Sequence, residues 1–136
     1  MMKILRYQNI LITFLICFCS CAQTYPDATT PLEGGREFID ACLKGDFKKA
    51  KAYMVEDPEN EKDLLNIKRD YDGKNNDQKT AYASASIIIN EDDAVNDTIH
   101  IINYKNSYDQ FARKVKMVQR NGKWLVDFKY TFNGNL

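Results

Sequence analysis

Three of the four cysteines lie at alternating positions at the end of an apolar segment, in the stretch FLICFCSCAQ. Thiols at this spacing can form disulfides, bind a metal or accept a covalent modification. The chain starts with Lys3 and Arg6, continues as an apolar run over residues 10–18 and then reaches small residues. This order is typical of a cleavable export signal. Because the run is shorter than the roughly 20 residues of a membrane-spanning helix, we expect the segment to be removed.

The last of these cysteines has the surroundings of an acylation site. The stretch FCSC resembles the lipobox of bacterial lipoproteins, in which an aliphatic residue and two mostly small ones precede the acylated cysteine. Small Ser20 precedes Cys21, bulky residues precede the other two cysteines, and Phe18 stands where the lipobox usually has Leu. We predict a signal peptide over residues 1–20 and attachment of acyl chains such as palmitate at Cys21. The alternative is ordinary cleavage before Gln23, which releases a soluble periplasmic protein.

Either cleavage leaves one cysteine, Cys42, inside the predicted domain, where it cannot form a disulfide by itself. Residues 21–29 are polar and lack periodicity, so we interpret them as a tether. The chain carries 19 basic and 19 acidic residues, and removal of Lys3 and Arg6 leaves a slight acidic excess, which gives no reason to expect a nucleic-acid partner. The tether has no acidic cluster resembling a surface-export signal. We therefore predict a lipid anchor in the outer membrane, with the domain facing the periplasm.

The pattern predicts one domain over residues 30–136, and its first part reads as three helices. The stretch TPLE, starting at Thr30, supplies a capping residue, a proline at the first helical position and a glutamate three residues after the cap. Gly45 ends this helix, and a short second helix follows in FKKAKAYM. A third runs from Asp57 to Gly73. We interpret the polar stretch DGKNNDQK after it as a loop.

After the helices the period changes to two, which indicates strands. AYASASIII and TIHIINY are predicted as strands separated by an acidic loop, NEDDAVND. Asn121-Gly122 is a strong hairpin signal, because both positions tolerate the positive φ of a type I′ turn. With the turn there, the predicted pairs are Arg120–Lys123, Gln119–Trp124, Val118–Leu125, Met117–Val126, Lys116–Asp127, Val115–Phe128, Lys114–Lys129, Arg113–Tyr130, Ala112–Thr131 and Phe111–Phe132.

Helices followed by four strands predict an α+β fold in which N-terminal helices pack on a four-stranded antiparallel sheet. The stretch ACLKGDFKKAKAYM and the closing hairpin NGKWLVD resemble the nuclear transport factor 2-like superfamily, in particular an uncharacterised group of bacterial cell-envelope lipoprotein domains. The resemblance covers about residues 31–132. It implies a strongly curved, cone-shaped sheet that wraps the helices and leaves a pocket at its wide end.

Enzymes of that superfamily place an Asp–His or Asp–Tyr arrangement in the cone, but no family catalytic residue carries over onto a matching position here. His100 can serve as a general base. No acidic residue has matching spacing, so we interpret it as a half-buried strand histidine without a catalytic role. Arg113 is predicted on the apolar face opposite Tyr130, where it either binds an anion or extends its head group to water. The pocket candidates are therefore His100, Arg113 and Tyr130.

Two further groups of residues invite a chemical interpretation. Cys42 falls on an apolar helical stripe, which favours an inert buried thiol over a nucleophile paired with His100. The acidic stretches DYDGKNND and NEDDAVND lack the glycine and glutamate positions of a calcium loop, so we interpret them as solvated turns. We expect neither a metal nor a cofactor.

Two functional hypotheses follow. The first is a membrane-anchored cell-envelope lipoprotein whose non-catalytic cone binds a small apolar ligand or a protein partner, with a homodimer through the sheet as one form of partnership. The alternative is a cone-pocket enzyme of the isomerase, dehydratase or hydrolase kind. It would use His100 or Tyr130 as acid or base, with a carboxylate from Asp70 or Asp127.

Overall fold

The computed structural model describes residues 24–131, and these confirm the predicted α+β class, with the helices preceding the sheet in sequence. The bounds of the helices are α1 Pro31–Lys44, α2 Phe47–Ala52, α3 Pro58–Asp72 and α4 Asn76–Ala83. Those of the strands are β1 Ile87–Asn96, β2 Ile99–Asn106, β3 Arg113–Arg120 and β4 Lys123–Asp127. A short 3-10 helix over Phe128–Thr131 follows the sheet.

The sheet is a four-stranded antiparallel meander with the order β1-β2-β3-β4. Its last hairpin confirms the predicted turn, because Asn121 and Gly122 have φ of 51° and 78° and Arg120 pairs with Lys123. The predicted register is confirmed outward as far as the pair Lys116–Asp127.

Beyond Asp127 the predicted pairing is wrong. The chain leaves the sheet there and forms the 3-10 helix, so Arg113 does not pair with Tyr130, and Phe111 is exposed. The predicted partner of Phe111, residue 132, lies outside the described residues. The cause is a buried asparagine on α3: the Asn60 Oδ1 accepts a hydrogen bond from the backbone N–H of Lys129 at 2.7 Å, which takes that N–H away from the sheet.

The polar stretch after α3 also differs from its prediction as a loop, since residues 76–83 form α4. Asn75 and Gln78 build a reciprocal capping box, with hydrogen bonds of 2.9 and 3.0 Å between each side chain and the other residue's backbone N–H. An asparagine followed three residues later by a glutamine is a sequence signal for the start of a helix. The strand predicted to begin in AYASASIII therefore begins later, at Ile87.

The acidic stretch NEDDAVND, predicted as a loop, is mostly the second half of β1. It pairs with β2 through two register shifts, one between Ile89 and Glu91 and one between Ala94 and Asn96. The turn itself is short: the Asn96 Oδ1 accepts hydrogen bonds from the N–H of Thr98 at 2.9 Å and from its hydroxyl at 3.1 Å. Charged side chains are common on such a strand because β1 is an edge of the sheet.

The described end of the predicted tether, residues 24–29, lies against the domain. The Ala28 carbonyl accepts a hydrogen bond from the Trp124 N–H at 3.1 Å, and Ala28 is buried. The Tyr53 hydroxyl donates to the Pro26 carbonyl at 2.8 Å. This segment, predicted as part of the tether, is therefore part of the folded body.

The core lies between α1 and the helix-facing side of the sheet. Phe38 on α1 packs against Phe128 with ring centroids 4.9 Å apart, and both are buried. Ile102, Val115, Met117 and Val126 supply the sheet side, each fully buried. Burial of large apolar side chains of this kind is worth about 1.5–3 kcal/mol each, which lets the domain form without a disulfide.

Candidate functional site

A cavity of about 330 Å³ lies where the C-terminal part of α1 meets α3, α4 and the sheet. Most of its wall is aromatic or aliphatic, and a smaller set of polar residues interrupts it. The lining residues are Phe38, Ile39, Cys42, Leu43, Ile67, Asp70, Tyr71, Lys74, Tyr82, Tyr104, Asn106, Arg113, Phe128 and Thr131.

Of the three predicted pocket candidates, Arg113 lines this cavity, whereas His100 and Tyr130 do not. Arg113 does not lie opposite Tyr130 as predicted, because Tyr130 belongs to the 3-10 helix and not to the sheet. The guanidinium instead donates to both carboxylate oxygens of Asp109, at 3.0 and 2.6 Å. This bidentate pair holds the pKa of the Asp109 carboxyl below its usual value. The ring of Tyr130 is contacted by the Lys116 ammonium, 3.7 Å from the ring centroid.

His100 has the acidic partner that the sequence spacing did not indicate. Its Nδ1 lies 2.9 Å from the Oδ1 of Asp92, a residue of the stretch predicted as a loop and found in β1. Its ring also meets Trp124 edge to face, with centroids 5.2 Å apart. The predicted carboxylates, Asp70 and Asp127, are elsewhere: Asp70 lines the cavity, and Asp127 faces Asn60 and Lys129.

Cys42 lies on the cavity wall, but its thiol is desolvated. Burial raises the pKa of Cys42 to about 12, so the reactive thiolate is scarce at neutral pH. Because His100 is not among the lining residues, it does not serve as a base for this thiol within the cavity. The geometry agrees with the interpretation of Cys42 as a small, partly buried apolar group packed against the core.

Sequence reasoning missed two polar residues of the cavity, Tyr104 and Asn106. Both belong to β2, both line the cavity, and their exposed fractions are 7% and 3%. Burial raises the pKa of the Tyr104 hydroxyl well above its usual value. The alternation of β2 was enough to place both on the same face as Ile102, but it carried no sign that a cavity borders them.

A second depression of about 320 Å³ lies near the start of the described chain, lined in part by Tyr25, Tyr53 and Lys123. The Tyr25 hydroxyl is buried, and within residues 24–131 it has no hydrogen-bond partner. This depression shares no lining residue with the larger cavity. It therefore provides matched control positions on the same molecule.

Within residues 24–131, no group of three or more histidine, cysteine or acidic side chains is arranged to hold a metal ion. In the same part of the chain, none of the helices combines the length and apolarity needed to cross a membrane. No protein-family model matches the chain, and no curated protein matches it either.

Proposed function

We propose that this protein is a cell-envelope lipoprotein, anchored through an acylated Cys21, whose domain binds a small and mostly apolar ligand. The observation that carries the proposal is the cavity of about 330 Å³ with a wall of aromatic and aliphatic residues. Small-molecule sites usually have volumes of roughly 300–1,000 Å³ and this kind of lining. On the sequence side, the proposal is supported by the export signal and by the lipobox-like stretch that ends at Cys21.

The proposed role is binding without catalysis. Catalysis in the cavity would need a nucleophile or an acid–base pair that touches the ligand. The Cys42 thiol stays protonated because of its raised pKa, and neither His100 nor Tyr130 lines the wall. The enzyme alternative keeps one supporting contact, the 2.9 Å pair between His100 and Asp92, which lies outside the cavity.

Ligand binding is tested with 1-aminoanthracene, a neutral apolar dye whose fluorescence rises in dry surroundings. A soluble form spanning residues 22–136 is titrated as wild type, as Cys42→Phe and as Cys42→Ala. We expect Cys42→Phe to fill the cavity and reduce dye affinity by about tenfold or more, because a bulky ring displaces the ligand. Cys42→Ala keeps the space open and should bind as the wild type does. Equal affinities for both variants would contradict the proposal.

The anchor is tested by intact-mass spectrometry of the full chain purified from bacterial membranes. We expect a mature N-terminus at Cys21 with the added mass of acyl chains. A mature chain that begins at Gln23 without acyl mass would refute the anchored form and leave a soluble periplasmic binding protein.

We also propose the sheet as the surface for any protein partner. Ile99 and Ile101 on β2 and Leu125 on β4 are partly exposed. Strand alternation places them on the side of the sheet away from the helices. A second copy that packs there would form the homodimer named in the first functional hypothesis. Sedimentation of the soluble form gives the mass: a dimer that Ile101→Lys dissociates supports this surface, and a monomer at all concentrations removes it.

A further inference from the structure

We infer that the ligand of this cavity is an apolar molecule ending in a hydrogen-bond acceptor, a carboxylate or a carbonyl oxygen, held by the Tyr104 hydroxyl. The inference rests on the proposed binding function and adds the chemistry of the ligand. It is carried by a deeply buried tyrosine on the cavity wall whose hydroxyl has no hydrogen-bond partner within residues 24–131.

Tyr104 belongs to β2, and its side chain lines the cavity. It is 7% exposed, and its hydroxyl makes no hydrogen bond to any residue in the described range. Within residues 24–131, the one side-chain polar atom that is sealed from solvent and also lacks a partner is the Tyr25 hydroxyl. The Tyr104 hydroxyl lacks a partner as well but is not sealed, so it is open to the cavity that its side chain lines. Since burial raises its pKa, it stays protonated at neutral pH and can donate.

Asn106 is the next polar residue of β2 on the cavity wall, and its amide already has partners in the protein. Its Oδ1 accepts hydrogen bonds from the backbone N–H groups of Tyr108 at 2.9 Å and Asp109 at 3.1 Å. These two donors fix the orientation of the amide, because only its oxygen can accept them. The pKa of the Asp109 carboxyl is lowered chiefly by Arg113 and further by a hydrogen bond from the Asn106 side chain. The Tyr104 hydroxyl is therefore the deeply buried donor of the wall that lacks a partner within residues 24–131, and a ligand oxygen supplies what it lacks.

The charged residues of the wall agree with an acceptor on the ligand. The Arg113 guanidinium is a further donor, although Asp109 neutralises it. Lys74 lies with its ammonium 5.0 Å from the ring centroid of Tyr82, and it can only donate. Asp70 is the carboxylate of the wall, and it is exposed. The apolar part of the ligand then packs on the remaining wall, which includes Leu43 and Phe128.

The test compares three probes that share a phenylbutyl body. 4-Phenylbutyrate ends in a carboxylate, 4-phenylbutan-2-one carries a carbonyl, and n-butylbenzene has no acceptor. The full chain in detergent micelles is unfolded thermally, followed by fluorescence of its single tryptophan, and affinities are taken from the rise in Tm. Each probe enters the micelles equally in all variants, so differences between variants report on the protein alone.

We expect the wild type to bind the two oxygen-bearing probes about tenfold or more tightly than n-butylbenzene, which is the size of effect that a buried hydrogen bond to a charged or carbonyl group gives. Tyr104→Phe should reduce this preference to within about threefold while n-butylbenzene binds unchanged. Tyr25→Phe removes an unpartnered hydroxyl from the other depression and should leave all three affinities unchanged.

Three results overturn the inference. Equal binding of all three probes to the wild type means that the cavity binds apolar molecules without reading an acceptor, so the proposed function stands and the inference falls. If Tyr104→Phe still prefers the oxygen-bearing probes over n-butylbenzene, a group other than the Tyr104 hydroxyl binds the ligand oxygen. Binding of none of the probes removes both. Tyr104→Phe decides between these outcomes, since it keeps the ring and removes only an oxygen that has no partner within residues 24–131. The tighter of the two oxygen-bearing probes identifies the acceptor as carboxylate or carbonyl.

Discussion

The two ends of α1 meet the same sheet in different ways. At its N-terminal end the contact is dense: a Cβ built on Gly34 would lie 2.6 Å from the Trp124 carbonyl oxygen, so the helix backbone rests directly on the sheet. At the C-terminal end, Cys42 and Leu43 border open space of about 330 Å³. The difference shows that small residues bring one half of the helix onto the strands, while the other half leaves room beside the Tyr104 hydroxyl, which lacks a partner within residues 24–131.

Chemical protection of Cys42 gives the largest expected effect. Burial raises its pKa to about 12, against roughly 8.5 for an exposed cysteine. At pH 8 the folded protein should therefore react with iodoacetamide about a thousandfold more slowly at Cys42 than the unfolded chain does. The folded rate should rise about tenfold per pH unit up to the pKa, as long as the fold persists. Peptide mapping measures the rate of modification at Cys42. A folded rate near that of free cysteine would contradict the prediction and show that water solvates the thiol.

Loss of the side chain of Asn60 should be the most damaging change to the frame of the cavity. Its amide donates to the Val55 carbonyl at 3.1 Å and accepts from the Lys129 N–H at 2.7 Å, which holds the 3-10 helix that carries Phe128. Asn60→Ala leaves these groups unpaired in a buried place, so we expect a loss of about 3 kcal/mol in the free energy of unfolding. Urea denaturation measures the loss. A value below about 1 kcal/mol would mean that the 3-10 helix is held by other contacts.

The substitution Gly34→Ala tests the close contact between the N-terminal end of α1 and the sheet. It places a methyl group against the backbone of Trp124, which cannot move aside cheaply. We expect a loss of about 2 kcal/mol in the free energy of unfolding, despite the better helix propensity of alanine. Gly122→Ala is a useful contrast, because the space around Gly122 is open and its cost comes from the positive φ alone. A stabilising Gly34→Ala would show that the two surfaces are not in close contact.

Two buried tyrosines sharpen the comparison with the smallest effects. The Tyr53 hydroxyl donates to the Pro26 carbonyl at 2.8 Å, so Tyr53→Phe should cost about 1 kcal/mol. The Tyr104 hydroxyl has no partner within residues 24–131, so Tyr104→Phe should change the free energy of unfolding by less than about 0.5 kcal/mol. The two variants are compared by urea denaturation under identical conditions. A cost for Tyr104→Phe as large as that for Tyr53→Phe would reveal a protein partner for its hydroxyl.

Sequence reasoning succeeded where local chemistry decides the structure. Asn121-Gly122 determines its own turn type, and the strand alternation then fixes the register on both sides of it. The same reasoning failed at Phe128, because the competing hydrogen bond comes from Asn60, 69 residues away from Lys129. Helix α4 is predictable from the sequence, since its capping-box residues, Asn75 and Gln78, mark its start.

The candidate site was less accessible to sequence reasoning than the fold. Arg113 is a predicted pocket candidate and lines the cavity, but its partner is Asp109 and not the predicted Tyr130. His100 was assigned no acidic partner because Asp92 was assigned to a loop, and strand pairing brings the two together. The cavity itself depends on how three helices sit on the sheet, and the pattern of a single sequence does not report such volumes.

A crystal structure of the domain with 4-phenylbutan-2-one bound would test the central claim most directly. We predict the phenyl ring between Leu43 and Phe128 and the carbonyl oxygen within hydrogen-bond distance, about 2.5–3.0 Å, of the Tyr104 hydroxyl. A probe found only elsewhere on the surface, with the cavity unoccupied at saturating concentration, would contradict the assignment of this cavity as the binding site.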